Sequence, residues 1–437
     1  FNYNLNLSPL AILMLVVSII FGIKIIFYTY TNYKTLILSN NIGAKIADKI
    51  FKFELDKDYL DQHELSSSDK IRKTLFDTIK VSVAIKGLIN IISELILFII
   101  ILIILLIVEI NLIYSIFFVF LLAFAYIKIF NKAIYKTSKN QQKKYTDWFN
   151  FLQDSFGGIK LIKINNSEKD FLKLHEVFSE SFFTHERKLG FFYLYPRIFF
   201  EILMIVFFAA LIILFKFILE FSNDIIIPIL TLFALIAIRI VPSINKIIVH
   251  FQNIVQAEPY LEKIYEAYIT NNNLSNKINI TDNKKLINFN NILKIQNLNF
   301  SYNENKIIFE NLNLSISKNK IIGIYGPSGS GKTTLVDLIS GLMRPNSGKI
   351  SIDDSDIFAN LKYWQSKIGY VYQDTFIVDS NLRENILFSK KNLIDDEYNK
   401  KIIKLLNLDD LITETTAGER GSKLSGGQKQ RIGIARA

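Results

Sequence analysis

The stretch Gly326-Pro-Ser-Gly-Ser-Gly-Lys-Thr-Thr334 matches the pattern G-x-x-x-x-G-K-S/T and decides the fold of the second half of the chain. An apolar run at 320–325 precedes it and another at 335–342 follows it. We therefore predict the order strand, loop, helix, which is the context that this pattern requires. Glycines let consecutive backbone N–H groups of such a loop face phosphate oxygens at a helix N-terminus. The stretch predicts a site for the phosphates of a nucleotide.

Two side chains of this loop have predicted roles of their own. Lys332 is expected to reach the β- and γ-phosphates, and Thr333 to offer its hydroxyl to Mg²⁺. The alternative is an ordinary glycine- and serine-rich turn, which the full match and its context disfavour. The predicted nucleotide-binding residues of the loop are Gly326, Ser328, Gly329, Ser330, Gly331, Lys332, Thr333 and Thr334.

A second run, Leu424-Ser-Gly-Gly-Gln-Lys-Gln-Arg431, has little meaning alone, because it could be any turn that enters a helix. Its distance from the first run is informative. With Gln373 between them, in Tyr370-Val-Tyr-Gln-Asp374, the order and spacing resemble the nucleotide domain of the ABC ATPase family. The resemblance covers the chain from about residue 291 to its end. It implies ATP and Mg²⁺ as cofactors.

Further roles follow from this resemblance by position. It implies that Tyr302 stacks on adenine and that Gln373 is the Q-loop residue, catalytic together with Lys332 and a ligand of Mg²⁺ together with Thr333. The alternatives are a core aromatic for Tyr302 and an exposed polar residue for Gln373. Ser425 and Gly427 would contact the γ-phosphate bound by an opposite subunit, so a partner in a homodimer or heterodimer is expected. The nucleotide-binding residues implied for the second run are Ser425, Gly426, Gly427 and Gln428.

The chain before residue 300 is strongly apolar. Half of all its residues are hydrophobic, and the mean hydropathy is +0.27. Segments of about 20 apolar residues can cross a bilayer core of ~30 Å as helices. A buried soluble helix is the alternative for any one segment, but five such segments make it unattractive. The predicted spans are 9–29, 87–108, 112–130, 199–219 and 225–247.

The charges that flank these spans predict their orientation. The turns next to the third and fourth spans carry Glu109, Glu220 and Asp224, whereas lysines follow the third span. Since cytoplasmic segments collect basic residues, the nucleotide domain is expected in the cytoplasm. The expected location of the chain is the inner membrane of a bacterium. The lysines are Lys128, Lys132, Lys136, Lys139, Lys143 and Lys144.

Composition narrows the expected partners. We attribute the net charge of +11 to the basic residues that predict the orientation of the spans, and we expect it also to attract anionic membrane lipids. Basic and aromatic residues do not interleave, so nucleic acid is not an expected partner. The absence of cysteine excludes disulfides and thiolate metal sites.

The polar intervals 31–86 and 131–198 are too long for loops of a compact domain. They resemble the cytoplasmic helix extensions of six-helix ABC exporters, reversed by short coupling helices near 59–72 and 165–173. The predicted fold class is an α-helical polytopic membrane domain with five of an expected six transmembrane helices, followed by a partial α/β P-loop NTPase domain. The predicted domains are 1–270 in the membrane, a linker at 271–290 and the ATP-binding domain at 291–437.

The resemblance also implies segments that the printed sequence does not contain. These are a first transmembrane helix and, after Ile432-Gly-Ile-Ala-Arg-Ala437, the Walker B Asp and Glu and a switch His. Without a metal ligand and a water-positioning group, this chain alone is expected to be inactive, and the full-length parent to hydrolyse ATP.

A membrane half fused ahead of a nucleotide half is typical of exporters, and Thr416-Ala-Gly-Glu-Arg-Gly421 looks like their X-loop, with Glu419 as its key residue. The expected function is ATP-driven export or flipping of a substrate by a dimer. The runs Trp364-Gln-Ser-Lys-Ile-Gly-Tyr-Val371 and Pro196-Arg-Ile-Phe-Phe-Glu201 look similar to flippases and exporters of lipid-linked oligosaccharides and polysaccharides. The alternative is a non-hydrolysing regulatory or binding subunit of a heterodimeric transporter, or an ATP-gated conductance.

Ionisable residues within the spans are candidates for substrate contact, because such groups are costly in a membrane. Glu94 and Arg239 are the two that we expect to face a polar or anionic head group. Arg197 and Glu201 are spaced i, i+4 and are expected to pair with each other.

Overall fold

The computed structural model describes residues 8–63, 66–108, 112–218, 220, 222–277, 289–302, 306–388, 396–411 and 416–437. The chain forms two compact units, Phe1–Ile278 and Asn279–Ala437. The division falls within the predicted linker 271–290, although helix continues to Lys277. Most of that linker, residues 278–288, lies outside the described residues.

The first unit consists of helices, several of which are far longer than a bilayer requires. The helix α1 shows how they begin: Ser8 precedes it, its hydroxyl accepts from the Ala11 backbone N–H at 3.4 Å, and Pro9 occupies the first turn. The helices are α1 (Pro9–Asp56), α2 (Ser67–Arg72), α3 (Thr78–Val108), α4 (Leu112–Gly157), α5 (Ile159–Ile164), α6 (Glu168–Ile213) and α7 (Asn223–Lys277).

Three helical stretches of the described residues are long and apolar enough to cross a membrane: Pro9–Asp56, Ser67–Ile103 and Glu168–Ile218. They contain the predicted span 9–29 and most of the spans 87–108 and 199–219. The other two predicted spans lie on α4 and α7, where some of the side chains are outside the described part of the chain. Each helix continues well beyond its apolar run, as the long polar intervals predict.

Short helices reverse the chain at two places. The first, α2, lies within the predicted elbow 59–72. The second, α5, lies at Ile159–Ile164, before the predicted elbow 165–173, so that prediction was displaced toward the C-terminus. The reason is local: Gly157 ends α4, Gly158 precedes α5, and the left-handed Asn166 (φ 51°) turns the chain into α6.

The helices α4, α6 and α7 share an apolar core. Its fully buried members are Ala123, Tyr126, Phe200, Ile240, Ile244 and Ile248. The helices α3 and α7 approach closely at Gly87, where a Cβ atom would lie 3.0 Å from the carbonyl oxygen of His250. Small residues of this kind let two helix backbones come together.

Ion pairs account for three of the four predicted membrane charges. Arg197 Nε donates to Glu201 Oε1 at 2.8 Å, which confirms the expected pair. Glu94 is buried, and Lys246 Nζ donates to its Oε1 at 2.9 Å. Glu94 therefore joins α3 to α7, so our expectation that it faces a substrate head group was wrong. Arg239 is exposed.

The second unit contains an antiparallel sheet in the order β2-β1-β3-β4. Its strands are β1 (Ile292–Ser301), β2 (Ile307–Ser317), β3 (Ser347–Ile352) and β4 (Ser355–Asp356), and its helices are α8 (Lys332–Ile339), α9 (Leu361–Gln365), α10 (Leu382–Leu387), α11 (Asp396–Leu405) and α12 (Gly426–Arg436). Leu293 and Ile295 of β1 supply its core face and, after an irregularity at Asn297 (φ 47°), Leu298 and Phe300 continue it.

The predicted strand at 320–325 does not form. This segment has no strand hydrogen bonds, and Ile321 and Tyr325 are almost fully exposed. An apolar run becomes a strand only beside a neighbour that pairs with its N–H and C=O groups, and the described residues place no strand next to it.

Candidate nucleotide-binding site

The loop before α8 has the backbone geometry of a phosphate cradle. Gly329 and Gly331 take positive φ angles of 82° and 89°, which favour glycine. A Cβ atom on Gly331 would lie 2.6 Å from Ile308 Cγ2 and 3.0 Å from Phe309 Cζ of β2. Only glycine fits there. Because Gly331 directly precedes α8, this turn points the first N–H groups of the helix into the loop.

The three side chains after Gly331, those of Lys332, Thr333 and Thr334, differ in their surroundings. Lys332 folds back, and its Nζ donates to the carbonyl oxygens of Gly326 at 3.0 Å and Pro327 at 2.8 Å. Thr333 is exposed, whereas Thr334 is buried. Lys332 thus lies along the loop that it is predicted to serve, and the Thr333 hydroxyl is open to a ligand.

Tyr302, at the end of β1, reaches this loop. Its hydroxyl lies 3.0 Å from Thr334 Oγ1, and its ring meets Phe300 edge-on with centroids 5.2 Å apart. The ring is about half exposed, so it is not the core aromatic of the alternative interpretation. Lys306 Nζ lies 5.9 Å from the ring centroid. The structure places an accessible aromatic face beside the loop, as adenine stacking requires.

Gln373 is exposed in the segment after α9. Tyr370, three residues earlier, ties this segment to α8, because its hydroxyl donates to Asp337 Oδ1 at 3.1 Å. Burial raises the pKa of Asp337, and the hydrogen bond from Tyr370 opposes that shift. The Trp364 indole adds a second tie to α8 through the Ile339 carbonyl at 2.8 Å. The segment that carries Gln373 is therefore anchored on the helix that follows the phosphate loop.

The second motif forms the start of α12. Ser425 precedes the helix, and its Oγ accepts from the Gln428 N–H at 3.2 Å. In return, Gln428 Oε1 accepts from the Ser425 N–H at 2.7 Å, which completes a capping box. Gly426 and Gly427 are exposed, and a Cβ atom on either would meet no heavy atom within 4 Å. The two glycines leave the positive end of the helix open to an anion.

Two residues that we did not single out connect these motifs. Asn385 of α10 is fully buried, donates to the Val378 carbonyl at 2.9 Å and accepts from the Val378 N–H at 2.9 Å. Arg436, at the end of α12, donates to the carbonyls of Phe376 and Asn385, both at 2.9 Å. The segment directly after Gln373 is thus joined to the C-terminal end of α12. An asparagine in an amphipathic helix gives no sequence signal of such a role.

These features can hold a nucleotide. The glycine cradle, the lysine and the exposed ring fit phosphates and a base, and the Thr333 hydroxyl fits a hard cation that prefers oxygen ligands. No cluster of three or more His, Asp or Glu side chains suited to a metal occurs among the described residues. Thr333 and Gln373 remain the residues predicted to hold a magnesium ion. One unit with this site and one unit of membrane-length helices define an ATP-binding membrane protein of the transporter class.

The comparisons with known families identify the class more closely. Residues 2–240 match the ABC transporter transmembrane region, and residues 309–437 match the ABC transporter family of ATP-binding domains. The chain belongs to the ABC transporter family and carries that family's ATP-binding domain. This confirms the resemblance drawn from the two motifs.

A solved structure and two relatives are similar to this chain. The structure of a bacterial Atm1-family ABC exporter with ATP bound covers 100% of the chain and 78% of that protein, with a TM-score of 0.79 and 18% identity. A multidrug resistance ABC transporter ATP-binding and permease protein of Lactococcus lactis is 34% identical over 153 residues, 33% of this chain and 26% of the relative. A beta-(1-->2)glucan export ATP-binding/permease protein of Agrobacterium fabrum is 33% identical over 162 residues, 36% of this chain and 28% of the relative.

The likeness to the Atm1-family structure confirms the predicted fold class, a helical membrane domain of exporter type followed by an ABC nucleotide domain. The aligned segments span about a quarter of the two relatives' length.

Proposed function

We propose that the full-length protein is an ATP-driven exporter or flippase that works as a dimer in the inner membrane of a bacterium. The observation that carries the proposal is a difference between the two motifs: the first makes contacts within its own chain, and the second leaves a helix end open. In the phosphate loop at 326–334, Lys332 donates to a carbonyl of the loop itself, and Thr334 contacts the Tyr302 hydroxyl. At the N-terminus of α12, by contrast, a Cβ atom on Gly426 or Gly427 would meet no heavy atom within 4 Å. An exposed, capped and positive helix end of this kind suits a γ-phosphate held by a second subunit.

The same geometry supports Mg²⁺ as the second cofactor and a homodimer or heterodimer as the working form. Dimer closure around ATP would convert nucleotide binding into a rearrangement of the membrane helices. ATP can shift such an equilibrium only through its higher affinity for the closed form. The trans contact of Ser425 and Gly427 supplies that difference in affinity.

A cavity in the first unit, lined by both polar and apolar side chains, supports a substrate that carries polar groups. It has a volume of about 280 Å³ between α3, α6 and α7, and it is lined by both signs of charge, Lys80 and Glu186. The Tyr193 hydroxyl lies 2.6 Å from Asn253 Oδ1 and 2.6 Å from Gln256 Oε1. Polar groups that converge in a cavity fix the orientation of a hydrogen-bonding ligand. A lipid-linked oligosaccharide or polysaccharide precursor presents many such groups.

The dimer proposal is tested by Ser425→Arg. The added cation and bulk should block the approach of a second subunit, while nucleotide binding to one chain stays within about twofold of wild type, because Ser425 contacts no residue of the phosphate loop on its own chain. Gln430→Arg, an exposed position five residues further along α12, is the matched control. Mass photometry with and without ATP reports the dimer fraction. An unchanged ATP-dependent dimer in Ser425→Arg would refute the trans assignment.

A further inference from the structure

A π turn lies at the place where the chain passes from α2 into α3. Residues Lys73–Asp77 form this wider turn, with α2 ending at Arg72 and α3 beginning at Thr78. A π turn bonds each N–H to the carbonyl five residues earlier, so it holds one residue more than the α-helix it interrupts. Such turns are rare and occur frequently at functional sites.

The ends of this turn are joined by a buried ion pair. Arg72 Nη1 donates to Asp77 Oδ1 at 2.8 Å and to Asp77 Oδ2 at 2.7 Å, and the two side chains are 1% and 0% exposed. Residues five apart on an α-helix point roughly 140° away from each other. The pair can form within one helix only because the π turn brings both side chains to the same face. Ion pair and π turn therefore stabilise each other.

The carboxylate end of the pair is fixed to the rest of the membrane unit. Gln142 of α4 is buried, and its Nε2 donates to Asp77 Oδ2 at 3.4 Å. The neighbouring Phe76 stacks on Tyr145 of α4 with centroids 4.3 Å apart, and it lies 6.0 Å from the buried ring of Tyr260 in α7. The end of the π turn, directly before α3, is thus held by α4 and α7.

The arginine end belongs to a segment that hydrogen bonds tie together. We call this segment the elbow; it comprises the turn Asp61–His63 and α2. Lys70 Nζ donates to the Gln62 carbonyl at 2.6 Å and to Gln62 Oε1 at 2.8 Å, so α2 is tied to the preceding turn. The elbow is joined to α4 by a hydrogen bond from Ser68 to Gln153.

We propose that Arg72 and Asp77 are positioning residues whose ion pair holds Lys73–Asp77 as a π turn and so sets the rotation of the elbow about the α3 axis. Without the pair, this turn returns to α-helical geometry. The change of one residue rotates the elbow by roughly 100° relative to α3. A shift in this pairing would reorient the cytoplasmic end of the membrane unit without unfolding it. The effect on the cytoplasmic end of the membrane unit rests on the proposed function. The link between the Arg72–Asp77 ion pair and the rotation of the elbow does not.

The chain has no cysteine, so two introduced cysteines can carry spin labels without other changes. Ser67→Cys on α2 and Lys143→Cys on α4 are both exposed, and pulsed electron resonance of the full chain in detergent gives the distance between them. Arg72→Met with Asp77→Leu removes both charges together, because removing one alone would strand a buried charge. We expect the label distance to shift on the order of 5 Å, given the radius of the helix with its side chains.

Two further variants keep the test decisive. Deleting Thr74 from the Arg72→Met, Asp77→Leu chain removes the extra residue of the π turn, and it should restore the wild-type distance within a continuous α-helix. Glu180→Gln, which breaks the exposed pair of Glu180 with Arg187, should leave the distance unchanged. An unchanged distance in the double variant overturns the proposal, and so does a shifted distance that the deletion fails to restore. Since no arm uses ATP or substrate, a failure here is distinct from a failure of the transport proposal.

Discussion

The Tyr302 hydroxyl lies 3.0 Å from Thr334 Oγ1, so the residue directly after β1 meets the first turn of α8. This contact fixes the position of an exposed aromatic ring beside the phosphate loop. The ring is the surface on which a base would stack, and the hydroxyl is its anchor. The two parts of this side chain can be separated by substitution.

Tyr302→Phe removes the anchor but keeps the ring, whereas Tyr302→Ala removes both. Stacking of a base on an aromatic side chain contributes about 1–3 kcal/mol, so Tyr302→Ala should weaken ATP binding by roughly 5- to 150-fold. Tyr302→Phe should weaken it by no more than about threefold. Titration of each variant with a fluorescent ATP analogue measures both affinities. Equal losses in Phe and Ala would show that the hydroxyl, and not the ring, is what matters.

Gly331→Ala should disable the phosphate loop. Its added Cβ meets Ile308 Cγ2 at 2.6 Å at a φ angle of 89°, so the loop must distort. We expect ATP affinity to fall more than about tenfold, measured by the same titration. Gly323→Ala is the matched control, because its Cβ would meet nothing within 4 Å. Similar losses in both variants would contradict the cradle.

Asn385→Leu should loosen the segment after Gln373. The Val378 N–H and carbonyl lose their partner, at about 1–3 kcal/mol for each group left unpaired. Hydrogen exchange over residues 376–381 should therefore accelerate more than tenfold relative to wild type. Lys400→Leu, on the exposed face of α11, serves as the control. Unchanged exchange would mean that Asn385 does not hold this segment.

Asp353 predicts a pH dependence of stability. Its carboxylate accepts backbone N–H groups from Asn290, Asn291 and Ile292 at 2.6 to 3.0 Å, and these bonds, led by that from Ile292, lower its pKa below the ordinary value. Because the pKa of Asp353 is lower in the folded state than in the unfolded state, its carboxylate stabilises the fold. This stabilisation is fully present above the unfolded-state pKa of about 3.9 and is lost as the pH falls through the folded-state pKa.

Thermal unfolding of wild type between pH 6 and pH 3 should accordingly show a drop in midpoint below about pH 4 that Asp353→Asn lessens. Asp354→Asn is the control, because its largely exposed carboxylate lies 4.0 Å from Lys294. Identical pH profiles for wild type and Asp353→Asn would remove the assigned role.

The sequence predicted the parts of the fold that depend on composition and short motifs. Apolar length predicted the spans on the three membrane-length stretches of the described residues, and glycine spacing located the phosphate loop and the start of α12. The second chain reversal, at α5, shows a limit: Gly157 and Gly158 ended α4 earlier than the polar interval suggested. Local turn chemistry outweighed interval length there.

Partners distant in sequence could not be predicted. Glu94 pairs with Lys246 across two helices, and Arg72 pairs with Asp77 only because of a π turn, which has no sequence signature. The run at 320–325 has strand composition but no pairing neighbour among the described residues. Whether a polar or apolar residue finds a partner is decided by tertiary contacts.

The central claim is that the loop at 326–334 binds the phosphates of ATP, and Lys332→Ala tests it most directly. Lys332 Nζ now donates to the loop carbonyls of Gly326 and Pro327, and it would exchange them for phosphate oxygens. Charge-assisted hydrogen bonds contribute about 1.5–3 kcal/mol, so titration with a fluorescent ATP analogue should show a loss of about 10- to 150-fold. Lys349→Ala, an exposed lysine on β3, should bind as wild type does. Unchanged affinity in Lys332→Ala would contradict the account.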